Sequence, residues 1–177
     1  PVLNPHNVER TAGGSSSGCG ALLASDAVDM AVGTDHGGSC RIPASFCGVV
    51  GLKPTFGLVP YTGAMPIDMT IDYIGPMTKN VHDNALLLEV LAGYDGVDNT
   101  QVPRPQESYT DSLVEGVAGL RIGVVAEGFD LDNSDPLVDQ TVRDAAKKLS
   151  SLGAEVEQVS LPMHASSAAI WTPIYIE

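Results

Sequence analysis

Two observations predict an α/β fold. Near the end of the chain an apolar run over 120–126, an amphipathic helical stretch and a second run over 156–161 follow one another, as strand, helix and strand do. Nearer the start, a helix-length segment leads from one Gly/Ser cluster to a strand-like run and a second Gly/Ser cluster. At 177 residues the chain is long enough to bury a sizeable core, as one domain or as part of a larger one.

Taken in order, 1–11 reads as an irregular lead-in with a turn at Asn4-Pro5. The small and apolar residues of 19–25 suit a tightly packed helix whose open N–H groups face the first cluster. A buried strand is expected over 27–32. Residues 41–48 predict a short helix, with Pro43 tolerated in its first turn. The Gly- and Pro-rich stretch 49–63 is expected to wrap the site as loop and short strands. Asn80 caps a helix over 81–92, with Asp83 three residues on and Gly93 at its stop. Leu86, Leu87, Val90 and Leu91 mark its expected buried face. Residues 94–119 turn polar, with Pro103 and Pro105 as breakers, and predict an exposed connection with one short helix over 108–115. After the strand at 120–126, Asp135 caps and Pro136 opens a helix to Leu152, stopped by Gly153. Its apolar face is Val138, Val142, Ala145, Leu149 and Leu152. With the strand at 156–161 it forms a parallel, right-handed crossover. No internal repeat stands out.

Composition removes several function classes. The net charge of −13 and nine scattered Lys and Arg argue against nucleic-acid binding, which needs clustered cations. No apolar run reaches membrane-spanning length and no signal peptide is visible. Three widely spaced cysteines, Cys19, Cys40 and Cys47, make neither a disulfide framework nor a zinc site, so a reducing, cytoplasmic setting is expected. A start at Pro1 rather than Met, and an apolar end at Ile174-Tyr175-Ile176, suggest that 1–177 is an internal piece of a longer protein.

The chemistry centres on Gly33-Thr34-Asp35-His36-Gly37-Gly38-Ser39-Cys40-Arg41. Two glycines before a serine let a hydroxyl project while backbone N–H groups stay open to a ligand. Serine is a poor nucleophile at its free pKa and needs a proton acceptor. Ser15, in the first cluster, is placed to relay the proton from Ser39 to a more distant base. The N–H groups of His36, Gly37, Gly38 and Ser39 are expected to converge on a developing oxyanion, and one such donor is worth on the order of 10²–10³ in rate.

The run Gly13-Gly14-Ser15-Ser16-Ser17-Gly18, followed by the residues from Gly33 through Gly51-Leu52-Lys53-Pro54-Thr55, resembles the amidase signature family. This pattern is long and far more specific than a short motif. Through 57–64 and Asp72-Tyr73-Ile74-Gly75-Pro76 it is most similar to the amidases encoded beside nitrile hydratases. The resemblance implies a mixed sheet covered by helices and a Ser–cis-Ser–Lys triad. In it Ser39 is the acyl-forming nucleophile, Ser15 the bridging serine after a cis peptide, and Ser16 a polar contact near the site. The family's lysine base lies upstream of the first cluster, so 1–177 is expected to lack it, together with the C-terminal part, and to be inactive by itself. Three positions depart from the usual pattern: Ser17 for Gly, His36 for Thr, Gln or Ile, and Cys40 for Ile.

Other readings use the same residues. Neither cluster carries the Gly-x-x-x-x-Gly-Lys-Ser/Thr pattern of phosphate loops. His36 with Cys40 would make a cysteine nucleophile system, and Cys40 as a packing residue is the alternative. Cys19 and Cys47 are expected to be small buried residues. Asp35 and Arg41 read as an ion pair framing the loop. Lys53 reads as structural, His6, His82 and His164 have no supporting spacing, and Trp171 and Tyr175 are expected in the core. The expected function is hydrolysis of a small carboxamide to acid and ammonia, with no metal or organic cofactor and no nucleic-acid or membrane partner; a homodimer is the assembly the resemblance allows. The alternatives are a glutaminase-type A subunit of a tRNA-dependent amidotransferase and a non-catalytic amide-binding fragment.

Overall fold

The computed structural model describes residues 1–114 and 116–176. It divides into two compact units, Pro1–Val114 and Glu115–Glu177. The first opens with an antiparallel hairpin, β1 (Leu3–Asn4) and β2 (Asn7–Thr11). The turn between them lies where Asn4-Pro5 predicts it, but the expected irregular lead-in is a hairpin. Its anchor is distant: the buried Asn4 amide donates to the Phe46 carbonyl at 2.7 Å, a partner that local spacing cannot reveal.

Helix α1 (Ser17–Ala24) follows the first cluster, and strand β3 (Met30–Asp35) carries the chain into the second. The strand begins three residues later than the apolar run suggests. Residues after α1 turn back onto it, through Asp26 in the left-handed region and an Ala27 N–H to Leu22 carbonyl bond of 2.9 Å. Nor is β3 buried through its apolar side chains: Val32 is 49% exposed, whereas Gly33 and Asp35 are buried. Helix α2 (Arg41–Cys47) and strand β4 (Val50–Gly51) lead through a long loop to β5 (Tyr73–Thr78). The sheet order is β3-β5-β4, all antiparallel, with Gly33 opposite Gly75. Leu23, Cys40, Ala44 and Met77 form the core over this sheet, with Cys19, Val28, Ala31 and Val49 against it.

The Gly33–Gly75 pair lets backbone and side chains close in. A Cβ at Gly75 would fall on the Leu52 carbonyl oxygen, and no rotamer change relieves a clash with backbone. Gly75→Ala is therefore expected to cost about 3 kcal/mol, the upper end of overpacking, read as a lower urea midpoint at unchanged slope.

Helix α3 (Val81–Leu91) is capped as predicted, the Asn80 side chain accepting from the Asp83 N–H at 2.8 Å. Its buried face differs. Asn84 and Leu88 are buried, while Leu86 is exposed and Val90 is 76% exposed. The helix is apolar on nearly every side, so spacing alone selects no face. The register is set instead by the Asn84 amide donating to the Pro76 carbonyl of β5 at 3.1 Å. The expected helix over 108–115 reduces to a 3-10 turn, Asp111–Val114; Glu115 lies outside the described residues.

The second unit is strand β6 (Arg121–Val125), a 3-10 turn at Ala126–Gly128, helix α4 (Pro136–Ser151) and strand β7 (Glu155–Val159), then a 3-10 turn at Pro162–Ser166 and helix α5 (Ser167–Ile176). β6 and β7 pair in parallel, as the strand–helix–strand pattern predicts. Asp135 caps α4 by accepting from the Leu137 N–H at 2.8 Å, and Pro136 opens it. The stripe Val138 and Val142, with Leu152 at the C-cap, is exposed in this chain. Trp171 and Tyr175 stack on each other at 4.8 Å, and Tyr175 is exposed rather than in a core. Among the described residues no helix is long and apolar enough to cross a membrane.

Candidate active site

The two Gly/Ser clusters meet. β3 delivers the second cluster to the N-terminus of α2, and α1 starts directly from the first. The Ser16 N–H donates to the Ser39 carbonyl at 3.2 Å, and the Ser16 hydroxyl donates to the Thr34 carbonyl at 3.3 Å. Ser16 stands at the cap position of α1, yet its side chain makes no cap bond; it is spent on holding the second cluster. That approach depends on Gly33, where a Cβ would lie 2.8 Å from Ser16 Oγ and 2.9 Å from Cys40 Sγ. The Ser17 hydroxyl closes the first cluster on itself by donating to the Gly13 carbonyl at 2.6 Å. The Gly14–Ser15 peptide is cis. Ser15 is exposed and Ser39 partly exposed, so both hydroxyl-bearing residues keep solvent access beside a shared backbone bond.

Asp35 is the hub of the second cluster. Its fully buried carboxylate accepts the N–H groups of Gly38 at 2.8 Å and Cys40 at 3.2 Å. Arg41 adds a two-pronged pair, Nε to Oδ2 at 2.9 Å and an Nη to Oδ1 at 2.8 Å. Burial pushes the carboxyl pKa up, but the Arg41 bonds and charge and the two amides outweigh it and hold it below the ordinary carboxylate range. The charged pair thus frames the loop. One sequence-based expectation changes here: the Gly38 N–H is committed to Asp35, because a buried carboxylate needs donors. The N–H groups of His36, Gly37 and Ser39 stay outside this Asp35 frame.

His36 is held by Asp72, whose part in the site no motif announces. Its Nδ1 lies 2.6 Å from Asp72 Oδ1. No local spacing rule links positions so far apart; the signal is the β3–β5 register, which sets Asp35 opposite Tyr73. Cys40, by contrast, turns into the core, its thiol near the Gly75 carbonyl. Burial first, then the Asp35 charge, pushes its pKa up to about 12. A thiol that resists ionisation is a poor nucleophile, and with His36 bound to Asp72 the cysteine–histidine alternative loses both members. Lys53 donates to the Pro54 carbonyl at 2.9 Å and sits 3.5 Å over the Tyr73 ring, a structural placement. The His6 ring bonds to the Cys47 carbonyl at 2.8 Å. Cys47 is buried, Cys19 only partly so. Among the described residues no group of three or more His, Cys, Asp or Glu is placed to hold a metal ion.

Comparison with known proteins places the chain in a family. The family model described as Amidase matches residues 1–177. An enantioselective amidase of Rhodococcus rhodochrous is 51% identical over 181 residues, covering 100% of this chain and 34% of that protein. The A subunit of the glutamyl-tRNA(Gln) amidotransferase of Halothermothrix orenii is 48% identical over 162 residues, 92% of this chain and 34% of that one. The crystal structure of the corresponding protein from Thermotoga maritima superposes with a TM-score of 0.93 at 40% identity, over 99% of this chain and 39% of that chain. The chain therefore spans about a third of the length of these relatives. With a match along its whole length and half its residues identical to an amidase, the chain belongs to the amidase signature family.

Proposed function

We propose that the protein carrying this chain hydrolyses small aliphatic and aromatic carboxamides, as the amidases encoded beside nitrile hydratases do. The Ser39 hydroxyl attacks the amide carbon and passes its proton by way of Ser15 to a lysine of the longer protein. That lysine must be neutral to accept it, a state burial favours. The developing oxyanion is met by the N–H groups of His36, Gly37 and Ser39, with Gly38 turned to Asp35 to shape the loop. The C–N bond breaks, ammonia leaves with the returned proton, and water cleaves the acyl-serine ester. The observation that carries this reading is the 3.2 Å bond from the Ser16 N–H to the Ser39 carbonyl. It holds the residue after Ser15 against the residue that would carry the acyl group.

A second reading has its own support. Likeness to the A subunits of amidotransferases, at 48% identity in sequence and a TM-score of 0.93 in structure, favours glutamine as the amide and a partner protein as the consumer of its ammonia. The deciding experiment is ammonia release from propionamide, benzamide and glutamine by the full-length protein beside its Ser39→Ala variant. Serine-dependent release from the first two supports the carboxamide amidase. Release from glutamine alone, requiring a partner, supports the amidotransferase reading. Release from none of the three favours an amide-binding role without turnover.

A further inference from the structure

We propose that the His36–Asp72 pair is a positioning clamp for the oxyanion loop, separate from the Asp35 frame, and that it staples the segment 65–71 to that loop. This rests on the reading above, in which the His36 N–H is one of the oxyanion donors.

The two residues are the first beyond the end of the β3–β5 ladder, whose last pair is Asp35 and Tyr73. Their side chains are only 6% and 3% exposed and meet at 2.6 Å. An ionised carboxylate only accepts, so the shared proton sits on His36 Nδ1 and the ring is held in that tautomer. The other oxygen, Asp72 Oδ2, accepts the N–H groups of Ile67 at 2.6 Å and Asp68 at 3.0 Å. One buried carboxylate therefore gathers three donors from two segments.

That is an expensive way to hold a loop, since the charge is taken out of water. Its return is geometric: a fully satisfied buried polar group permits one arrangement, whereas apolar contacts slide. The stapled segment gains from such an anchor, because three of its large apolar side chains face solvent: Met65 is 91% exposed, Ile67 67% and Met69 50%. On the other side, the imidazole is one residue from Gly37 and three from Ser39, so fixing its ring fixes the backbone N–H that meets the oxyanion.

The test uses the full-length protein with propionamide and benzamide. His36→Ala is expected to lower kcat by about 30-fold or more, part of the 10²–10³ worth of one oxyanion donor, while KM moves less than about 3-fold. His36→Asn, whose amide N–H stands in for Nδ1–H, should recover most of the loss, which a merely space-filling role would not produce. The double variant His36→Ala/Asp72→Ala should be no slower than His36→Ala alone, as expected of partners in one unit. Hydrogen exchange supplies a readout independent of turnover: in His36→Ala the amides of 36–39 and of 65–71 should both exchange faster. Equal kcat in His36→Ala, no recovery with His36→Asn, or unchanged exchange over 65–71 overturns the clamp. Ammonia release that survives Ser39→Ala instead removes Ser39 from the chemistry, and with it the oxyanion loop of the reading above, and the exchange result then judges the staple by itself.

Discussion

Ser39→Ala in the full-length protein is expected to lower kcat for carboxamide hydrolysis by about 10⁴-fold or more, since loss of the serine in an unrelated serine hydrolase costs about 10⁶. The same substitution should leave stability within about 0.5 kcal/mol, as for a surface change away from special contacts. The tie between the clusters explains the separation. Ser39 is joined to Ser16 through its backbone carbonyl, which alanine keeps, and the residue is only partly buried. Ser15→Ala should fall nearly as far, because members of a relay act as a unit and their losses do not add. Ser16→Ala is a different case: it removes the hydroxyl bond to the Thr34 carbonyl and so loosens the junction of the clusters without touching either proposed catalytic hydroxyl. Single-turnover ammonia release together with thermal melting separates the three. Turnover retained in Ser39→Ala at unchanged fold would remove Ser39 from the chemistry.

What was legible in the sequence is what short-range chemistry decides. The Asn80 and Asp135 caps, the Pro136 start and the positions of α1, α2 and α4 follow from residues within one turn of each boundary. The parallel pairing of β6 and β7 follows from a helix long enough to cross between them. Of the candidate site, the two clusters and the flanking Asp35–Arg41 pair were legible, because Gly/Ser runs and opposite charges six residues apart mark a close loop within a short stretch of chain. What escaped depends on partners far along the chain. The first hairpin needs the Phe46 carbonyl to satisfy Asn4, α3 takes its face from the Pro76 carbonyl rather than from its leucines, and β3 buries a glycine and an aspartate where an apolar run suggested valine. Within the candidate site, loop glycines are open by default and the sequence points the Gly38 amide outward; the buried Asp35 carboxylate claims it. Asp72 escaped for the same reason as Phe46, since only the strand register brings it to His36.

Asp35→Asn is expected to cost about 3 kcal/mol near neutral pH, the lower end for breaking a buried charged pair. The lower end applies because Arg41 is 50% exposed and its guanidinium can be rehydrated. The loss comes instead from the amides: an asparagine NH₂ faces the N–H groups of Gly38 or Cys40, where the carboxylate accepted both, and an unsatisfied buried donor costs about 1–3 kcal/mol. Activity should fall further than stability. The bonds that Asp35 makes shape the backbone on both sides of Ser39, and a misplacement near 1 Å costs about 10² in rate. The pH dependence has a definite sign. Asp35 titrates below its ordinary range in the folded state, so its contribution is complete above the unfolded value of about 4 and is lost as pH falls through the lower folded value. Urea titrations of both proteins from neutral pH downward should therefore show a stability gap that is constant above about pH 5 and narrows below about pH 4. A gap that stayed constant through that acid range would mean that the frame is held by shape and not by the Asp35 charge, and the loop would then owe its form to the Gly33 and Gly38 backbone alone.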